Sequence, residues 1–562
     1  MRGSRYGKVL GMLSMLVLFV AAAPSSTSPV ADAVMQGDKD AVRALLAQGA
    51  DVNEAQGDGM TALHWAAERG DADVAEILIG AGAEVDRVTR LGAYTPLHLA
   101  SKSGHGSVVE LLVAAGGDAN AVTQTGDVTA LHFAARGGST VAVRALLAHG
   151  ADPNAQESQW GQTPLMFAAV QNRTSAIELL LEHGADPSIP ARVLDIREWD
   201  RIVSMVRAGE DFEAARRAVA EDPEEDDDDP NTPVSYTQMV GTYGGLTPLL
   251  MAARDGHKAA VRTLLEGGAD LNEVSAGDGT SALLIATING HFDLALELLQ
   301  GGADPTLASE AGATPLYTTL NKQWIPATRH PQPTHYLYQD TSYLTLMEEL
   351  LKAGADPNVR LKTSLWYTTF GRDHLGVDRM GATPFWRAAH AVDLDAMKLL
   401  VEYGADPNIP TKAPPARGGG YGQEDDTDHS GLPPMEPGGP GAYPIHAAAG
   451  VGYGQDFVGN DHRHREDGWL PAVRYLVEEH GADVNMRDHN GFNPIHHAAA
   501  RGDNELIEYL VAEGADVTAV GRRGQTTADM ANGPVQRVPP FLSTVRLLEG
   551  LGAVNNDNCQ SC

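Results

Sequence analysis

Cysteine is almost missing from this sequence: of 562 residues only Cys559 and Cys562 carry a thiol, both within the last four positions. No disulfide framework can hold the body of the fold, so packing must do it. Aromatic residues are scarce too, at 6%, with ten phenylalanines against 61 glycines. That balance argues against the large cores of ordinary multi-domain enzymes and favours something repetitive. Positive charge is in short supply, 41 Lys and Arg against 74 Asp and Glu, for a formal net charge of -33. A protein that binds nucleic acid by releasing counterions from phosphates is not expected on that balance. After the N-terminus no apolar run approaches the roughly 20 residues of a membrane helix, while 43% hydrophobic residues are enough for a folded core.

The N-terminus is the exception. Residues 1–8 (MRGSRYGK) carry three positive charges and no acid, residues 9–23 (VLGMLSMLVLFVAAA) are almost wholly apolar, and small residues with Pro and Ser follow. This is the layout of a secretory signal, with a peptidase site near Ala22 or Ala23. An uncleaved anchor helix is the alternative, although about 15 apolar residues fall short of the usual span. The expectation is an exported protein, periplasmic or secreted, with no membrane span once the signal is cleaved.

What the chain has in quantity is a repeat. Gly-Ala-Asp or a close variant follows a leucine-rich stretch at Gly49, Gly82, Gly116, Gly150 and Gly184, spaced by 33 or 34 residues. A second marker sits about 20 residues before the later ones: TALHWAA from Thr61, TPLHLAS from Thr95, TALHFAA from Thr129 and TPLMFAA from Thr163. It resumes with TPLLMAA from Thr247, SALLIAT from Ser281, TPLYTTL from Thr314, TPFWRAA from Thr383, YPIHAAA from Tyr443, NPIHHAA from Asn493 and TTADMAN from Thr526. Thr is a good N-cap, and Pro suits the first helical position, where its missing N–H costs nothing. Alanine pairs allow close backbone approach. Gly70, Gly104, Gly290 or Gly502 ends the first helix, and a second amphipathic helix follows, with Val74, Ile77 and Leu78 on one face. Neither helix can bury its apolar face alone, so neighbours must stack.

Two markers in fixed phase at this period resemble the ankyrin repeat. The resemblance covers roughly residues 30–192 and 240–557. It implies an all-α solenoid of about 11–12 helix-turn-helix units, interrupted by an acidic linker and by loop insertions. The first unit, lacking the Thr-Pro-Leu-His opening, reads as an N-terminal cap, and the one ending at Asn555 as a C-terminal cap. The expected organisation is a signal over 1–23, an N-terminal array over 30–192, and a helical and acidic linker over 193–243. A C-terminal array with insertions over 244–557 and a C-x-x-C tail over 558–562 complete it.

The period breaks in informative places. Between Gly184 and Gly268 an excess holds REWDRIVSMVRAGEDFEAARRAVA, with helical periodicity that would extend the preceding helix, and the acid run EDPEEDDDDP. Like charges repel, so the run reads as a solvated linker dividing the array in two. A calcium loop would need spaced oxygen ligands around a Gly turn. Three consecutive units, from Gly302 to Gly481, carry insertions rich in aromatics: Trp324 and Tyr336 in the first, Trp366, Tyr367 and Arg372 in the second. The third ends in NDHRHREDGWLP. Long loops on a rigid scaffold are where binding residues usually sit.

The histidines of the opening marker, His64, His98, His132, His446 and His496, lie one per layer and cannot converge on one metal ion. In ankyrin-like units this residue bridges adjacent loops, which is the reading the resemblance implies. His462 and His464 are weak metal candidates, since imidazole beside carboxylate suits zinc or copper, with a solvated loop as the alternative. Cys559 and Cys562 have C-x-x-C spacing. Covalent haem needs a His directly after the second Cys, and this sequence holds none there. A disulfide is the expected state, with a metal-binding tail or a tether to a partner left open. Nucleophile-elbow, zincin, P-loop and dinucleotide-binding patterns are not found, GVGYG at 450–454 having the wrong spacing. No catalytic residue and no cofactor is expected.

In the proteins this chain resembles, partners bind the concave side through loop tips and the end of each first helix. Carried over by position, that face includes Met60, Arg69, Tyr94, Lys102, Gln162, His390 and Phe492, with Trp160 at an exposed loop tip. The expectation is a monomeric, non-catalytic scaffold of the cell envelope binding a protein or peptide, with the aromatic insertions as its distinguishing site. A periplasmic redox or metal accessory protein using Cys559 and Cys562 is the alternative. Expressed with its N-terminus intact in a secreting host, the protein should be recovered starting within a residue or two of Ala23, as read by intact mass. Recovery with Met1 in place would remove the cleavable signal.

Overall fold

The computed structural model describes residues 28–221, 237, 240–325, 333–365, 379–414, 428–436, 438–453, 463–533 and 539–557. The signal segment, most of the acid run, Trp366, Tyr367, Arg372, His462, Cys559 and Cys562 lie outside them. The chain forms two compact units, residues 1–152 and 153–562. Within the described residues the first holds four antiparallel helix pairs, from Pro29–Gln36 with Lys39–Ala47 to Ala130–Gly137 with Thr140–Ala148, and the second holds eight more of the repeat together with the pair Ile196–Arg207 and Phe212–Glu221. No helix among the described residues is long and apolar enough to cross a membrane.

Each pair begins as the local chemistry dictates. Thr61, Thr95, Thr163, Thr247, Thr314 and Thr383 each cap a first helix through the side-chain oxygen. The alanine pairs Ala66–Ala67, Ala134–Ala135 and Ala498–Ala499 are fully buried, which lets first helices of successive repeats approach closely. Several second helices are capped by a side-chain oxygen, from Asp38, Asp71, Asp393 and Asp503 or from Ser139 and Ser342. Their apolar faces supply the rest of the core, Val74, Leu78, Leu112, Leu146, Leu180 and Leu510 among them.

Repeats are joined by the ring three residues into the first helix. His64 Nδ1 accepts from the Thr61 backbone N–H at 3.2 Å, which leaves the proton on Nε2, and Nε2 donates to the Tyr94 carbonyl of the next repeat at 3.0 Å. His98 does the same toward Ala121 and His446 toward Met486. This is a capping box in which imidazole replaces the usual carboxylate and reaches one layer further. A second ladder runs along the turns: Asn53, Asn120, Asn154, Asn358 and Asn485 each donate to the next repeat's Gly carbonyl and accept from a backbone N–H just beyond it.

Two expectations about the segment after Gly184 are corrected. It does not extend the helix Thr174–Glu182. A short strand, β1 (Val193–Asp195), pairs antiparallel with β2 (Thr242–Gly244), and between them stand Ile196–Arg207 and Phe212–Glu221 around Ile202, Ala215 and Val219. Asp195 starts the first of these by accepting from the N–H groups of Arg197 and Glu198. Nor does the segment divide the stack. His257 Nε2 donates to the Val170 carbonyl at 3.0 Å and Asn172 accepts from the Ala260 N–H at 3.1 Å, so the helix pairs on either side pack directly together. The two strands bring the ends of the excursion to one place, and the period resumes in register.

Burial keeps the rings at this register neutral, with the pKa of His64 and His446 pushed down to about 4 and that of His496 to about 3. The unfolded chain binds these protons below about 6.5 while the folded one refuses them, so stability is full above that pH and falls as pH drops toward 4. The urea midpoint should therefore decline between pH 7 and pH 4.5, before carboxylates titrate. A flat profile over that window would mean that the folded state accommodates charged rings.

Candidate functional site

The residues expected on an open face divide into three groups. Met60, Tyr336, His390 and Phe492 are buried, which corrects their placement there. His390 has no exposed surface: Nε2 donates to the Val451 carbonyl at 3.1 Å, and its ring stacks on Trp386 at 4.9 Å. Phe492 stacks on His496 at 5.0 Å. Tyr336 packs beside Phe292, and its hydroxyl accepts from Arg463 at 2.5 Å. An aromatic side chain in a loop satisfies burial as readily as recognition, and sequence position does not separate the two.

A second group is tied down but half-open. The Trp324 indole donates to Asp393 Oδ2 at 2.8 Å, and the Tyr343 hydroxyl donates to the same oxygen at 2.7 Å. Asp393 is fully buried, caps the helix Leu394–Glu402 through Oδ1, and has Arg465 Nη1 at 3.6 Å. Burial and the Asp393 carboxylate both hold the Tyr343 phenol well above its ordinary pKa. Arg387, also buried, donates to Asn321 Oδ1 at 2.8 Å and to the Trp324 carbonyl. One carboxylate and one guanidinium thus fasten the bases of the first and third insertions to the repeats beneath them. Sequence reasoning missed Asp393, Tyr343, Arg387 and Arg465. Asp393 reads as one more N-cap, and its other partners come from 50 and 69 residues away.

The third group is exposed or half-exposed. Trp160 stands 44% exposed on a turn whose geometry is set by buried Glu157, which accepts from the N–H groups of Gln159, Trp160 and Gln162 at 2.8, 2.7 and 3.0 Å. Tyr94 and Lys102 are brought together, the ammonium 5.5 Å from the ring centre, with Phe133 alongside. Arg69 is exposed and donates to the Met35 carbonyl of the preceding repeat. Beside buried Tyr336, Leu337 and Tyr338 are 58% and 82% exposed on a single 3₁₀ turn, His335–Tyr338. His464 packs with Tyr453 and Trp469, at 5.7 and 4.8 Å between ring centres, and its Nδ1 meets the Arg465 carbonyl. No group of three or more metal-ligating side chains occurs among the described residues.

Family models for ankyrin repeats match residues 30–124, 97–191 and 206–309, and further ankyrin models match 380–412 and 462–511, together more than half of the chain. The chain belongs to the ankyrin-repeat family. Among curated proteins it is 37% identical over 82 residues to ankyrin repeat and SAM domain-containing protein 6 of Rattus norvegicus, covering 14% of this chain and 9% of that one. It is 34% identical over 83 residues to protein phosphatase 1 regulatory subunit 27 of Mus musculus, covering 15% and 49%. With ankyrin repeat domain-containing protein 49 of Homo sapiens it shares 43% over 51 residues, 9% and 21%. The chain thus spans no more than about half the length of these relatives. Ankyrin repeats are protein-interaction units, so a general protein-binding role follows; the tied insertions belong to this chain's own variation on the repeat.

Replacing Asp393 with Ala strands an indole N–H and a phenol that have few other partners and removes an N-cap. Stability should fall by about 2–3 kcal/mol in urea unfolding, with the near-ultraviolet signal of Trp324 altered in the folded state. A loss under ~0.5 kcal/mol, typical of a surface change, would show that the tie carries no load.

Proposed function

We propose that this ankyrin-repeat chain is a non-catalytic scaffold, exported to the periplasm or beyond, that captures a protein or peptide through aromatic side chains on its loop tips. The observation that carries the reading is Trp160: a large indole left 44% open on a turn that a buried carboxylate holds rigid. Rigid aromatics lose little entropy on binding and dominate interface energetics. Leu337 and Tyr338 offer a second such tip, raised from a base that Tyr336 and Trp324 anchor. The aromatic insertion residues Trp366, Tyr367 and Arg372 extend the proposal. One relative is named as a regulatory subunit of a protein phosphatase, a role that involves another protein. Export is supported by the charged, then apolar, then small-residue order of the first 23 residues.

The test is affinity capture from a native periplasmic extract, followed by titration of the retained protein. Trp160→Ala, Tyr338→Ala and the double variant Trp366→Ala/Tyr367→Ala should each keep the parent's unfolding midpoint. At least one should weaken the partner by about 2 kcal/mol, roughly thirtyfold. Undiminished affinity in all three would remove the loop-tip assignment.

A further inference from the structure

Lys322 occupies the last turn of the helix Pro315–Gln323, eight residues after its N-cap. At the same register Arg69 donates to the Met35 carbonyl of the preceding repeat, and Arg501 donates to the Ala449 carbonyl and to Asp503. Lys322 departs from them. It is only 3% exposed, yet among the described residues neither a carboxylate nor a carbonyl accepts from its ammonium. Its stem passes the turn at Gly290, where a Cβ would stand 3.1 Å from Lys322 Cε and 3.1 Å from Tyr336, so the glycine leaves room for the lysine stem. Next to Gly290, the His291 ring lies 4.8 Å from the ring of His335. The acids of the surrounding turns are engaged elsewhere: Asp255 with Arg254 at 2.8 Å, and Asp293 with the N–H groups of Asp340 and Thr341.

A buried cation without a counter-charge is costly, and a bound anion removes that cost. We propose that Lys322 anchors a carboxylate-binding site, closed by the His291–His335 ring pair and flanked by exposed Leu337 and Tyr338, for an acidic side chain or C-terminus of a bound peptide. A single ammonium matches a single negative charge. Among the described residues the neighbouring guanidiniums are engaged with protein groups, Arg463 with the Tyr336 hydroxyl and Arg387 with Asn321 and the Trp324 carbonyl, rather than set as a fork for a phosphate dianion. His291 is neutral near pH 7, its pKa pushed down to about 4 by burial and by His335, so it adds polarity without a second full charge. Burial also brings the Lys322 pKa down to about 8, which makes the group a reporter of its own occupancy. The peptide source rests on the protein-binding reading above, whereas the site itself is tested by a free anion.

The experiment follows ¹³Cε-labelled lysines of the full chain by NMR through a pH titration, with the Lys322 signal identified from Lys322→Met. In chloride it should titrate well below the other lysines. Acetate at the same ionic strength should raise its midpoint by about one pH unit, the shift expected when the anion prefers the charged form tenfold. Acetate should also move the His335 ring signals, and Lys322→Met should abolish that movement. An acetate titration identical to the chloride one overturns the site. Inorganic phosphate acting as strongly as acetate overturns the carboxylate assignment. Failure of partner capture with the acetate shift intact would remove the peptide reading and leave the anion site standing.

Discussion

Most helices of the repeats are seven to nine residues long, shorter than an isolated helix needs to persist in water. Everything else rests on the contact each makes with the next layer, and the ring at the third helical position is where that contact becomes specific. It satisfies the helix's own N-terminal N–H and a carbonyl of the following repeat at once. Where histidine is replaced, the register is filled in other ways, by the buried apolar side chains of Met166, Leu250 and Leu284 or by another polar group. Trp386 stands at the same register and donates its indole N–H to the Ala442 carbonyl at 2.9 Å. In the last described repeat the ring gives way to Asp529, which accepts from Thr526 and from the Asn556 N–H of the returning tail.

A stack held in this way is stiff enough to carry side loops of very different length. The 193–244 excursion leaves and returns through two paired strands, so the helices before and after it still meet. The insertions between Gly302 and Gly481 use another device. The bases of the first and third are pinned by buried polar groups, Asp393 and Arg387, that the repeats already hold in place. Asp393 is at once a helix cap and a cross-link, which is possible because the cap uses one carboxylate oxygen and leaves the other for Trp324 and Tyr343.

The charge of the chain is unevenly placed. A net charge of -33 coexists with buried or half-buried Lys322, Arg379, Arg387 and Arg501 beneath the insertions. Arg501 lies 3.7 Å over the Trp469 ring and is held by Asp503, whereas Lys322 has no such partner among the described residues. Local basicity inside an acidic protein concentrates any attraction for negative groups at a few points of the repeat stack, since charge elsewhere is screened within about 8–10 Å at physiological salt.

Fold and repeat phase were legible from the sequence because they depend on local rules applied many times: a cap at Thr61 or Thr383, an alanine pair, a glycine, an amphipathic stretch. Exposure at Trp160 was legible for the same reason, since its turn is local. The orientation of single side chains in the insertions was not. His390 and Phe492 differ from exposed neighbours only in what packs over them, and Tyr336 is buried while Tyr338, two residues on, is open. Asp393 meets Trp324 and Tyr343, and Lys322 meets Gly290, across repeats whose spacing the insertions alter. Periodicity therefore determined which elements form and how they stack. Only the tertiary structure decided which aromatic is buried as an anchor and which one is left exposed, because that choice is made by contacts between residues far apart in the chain.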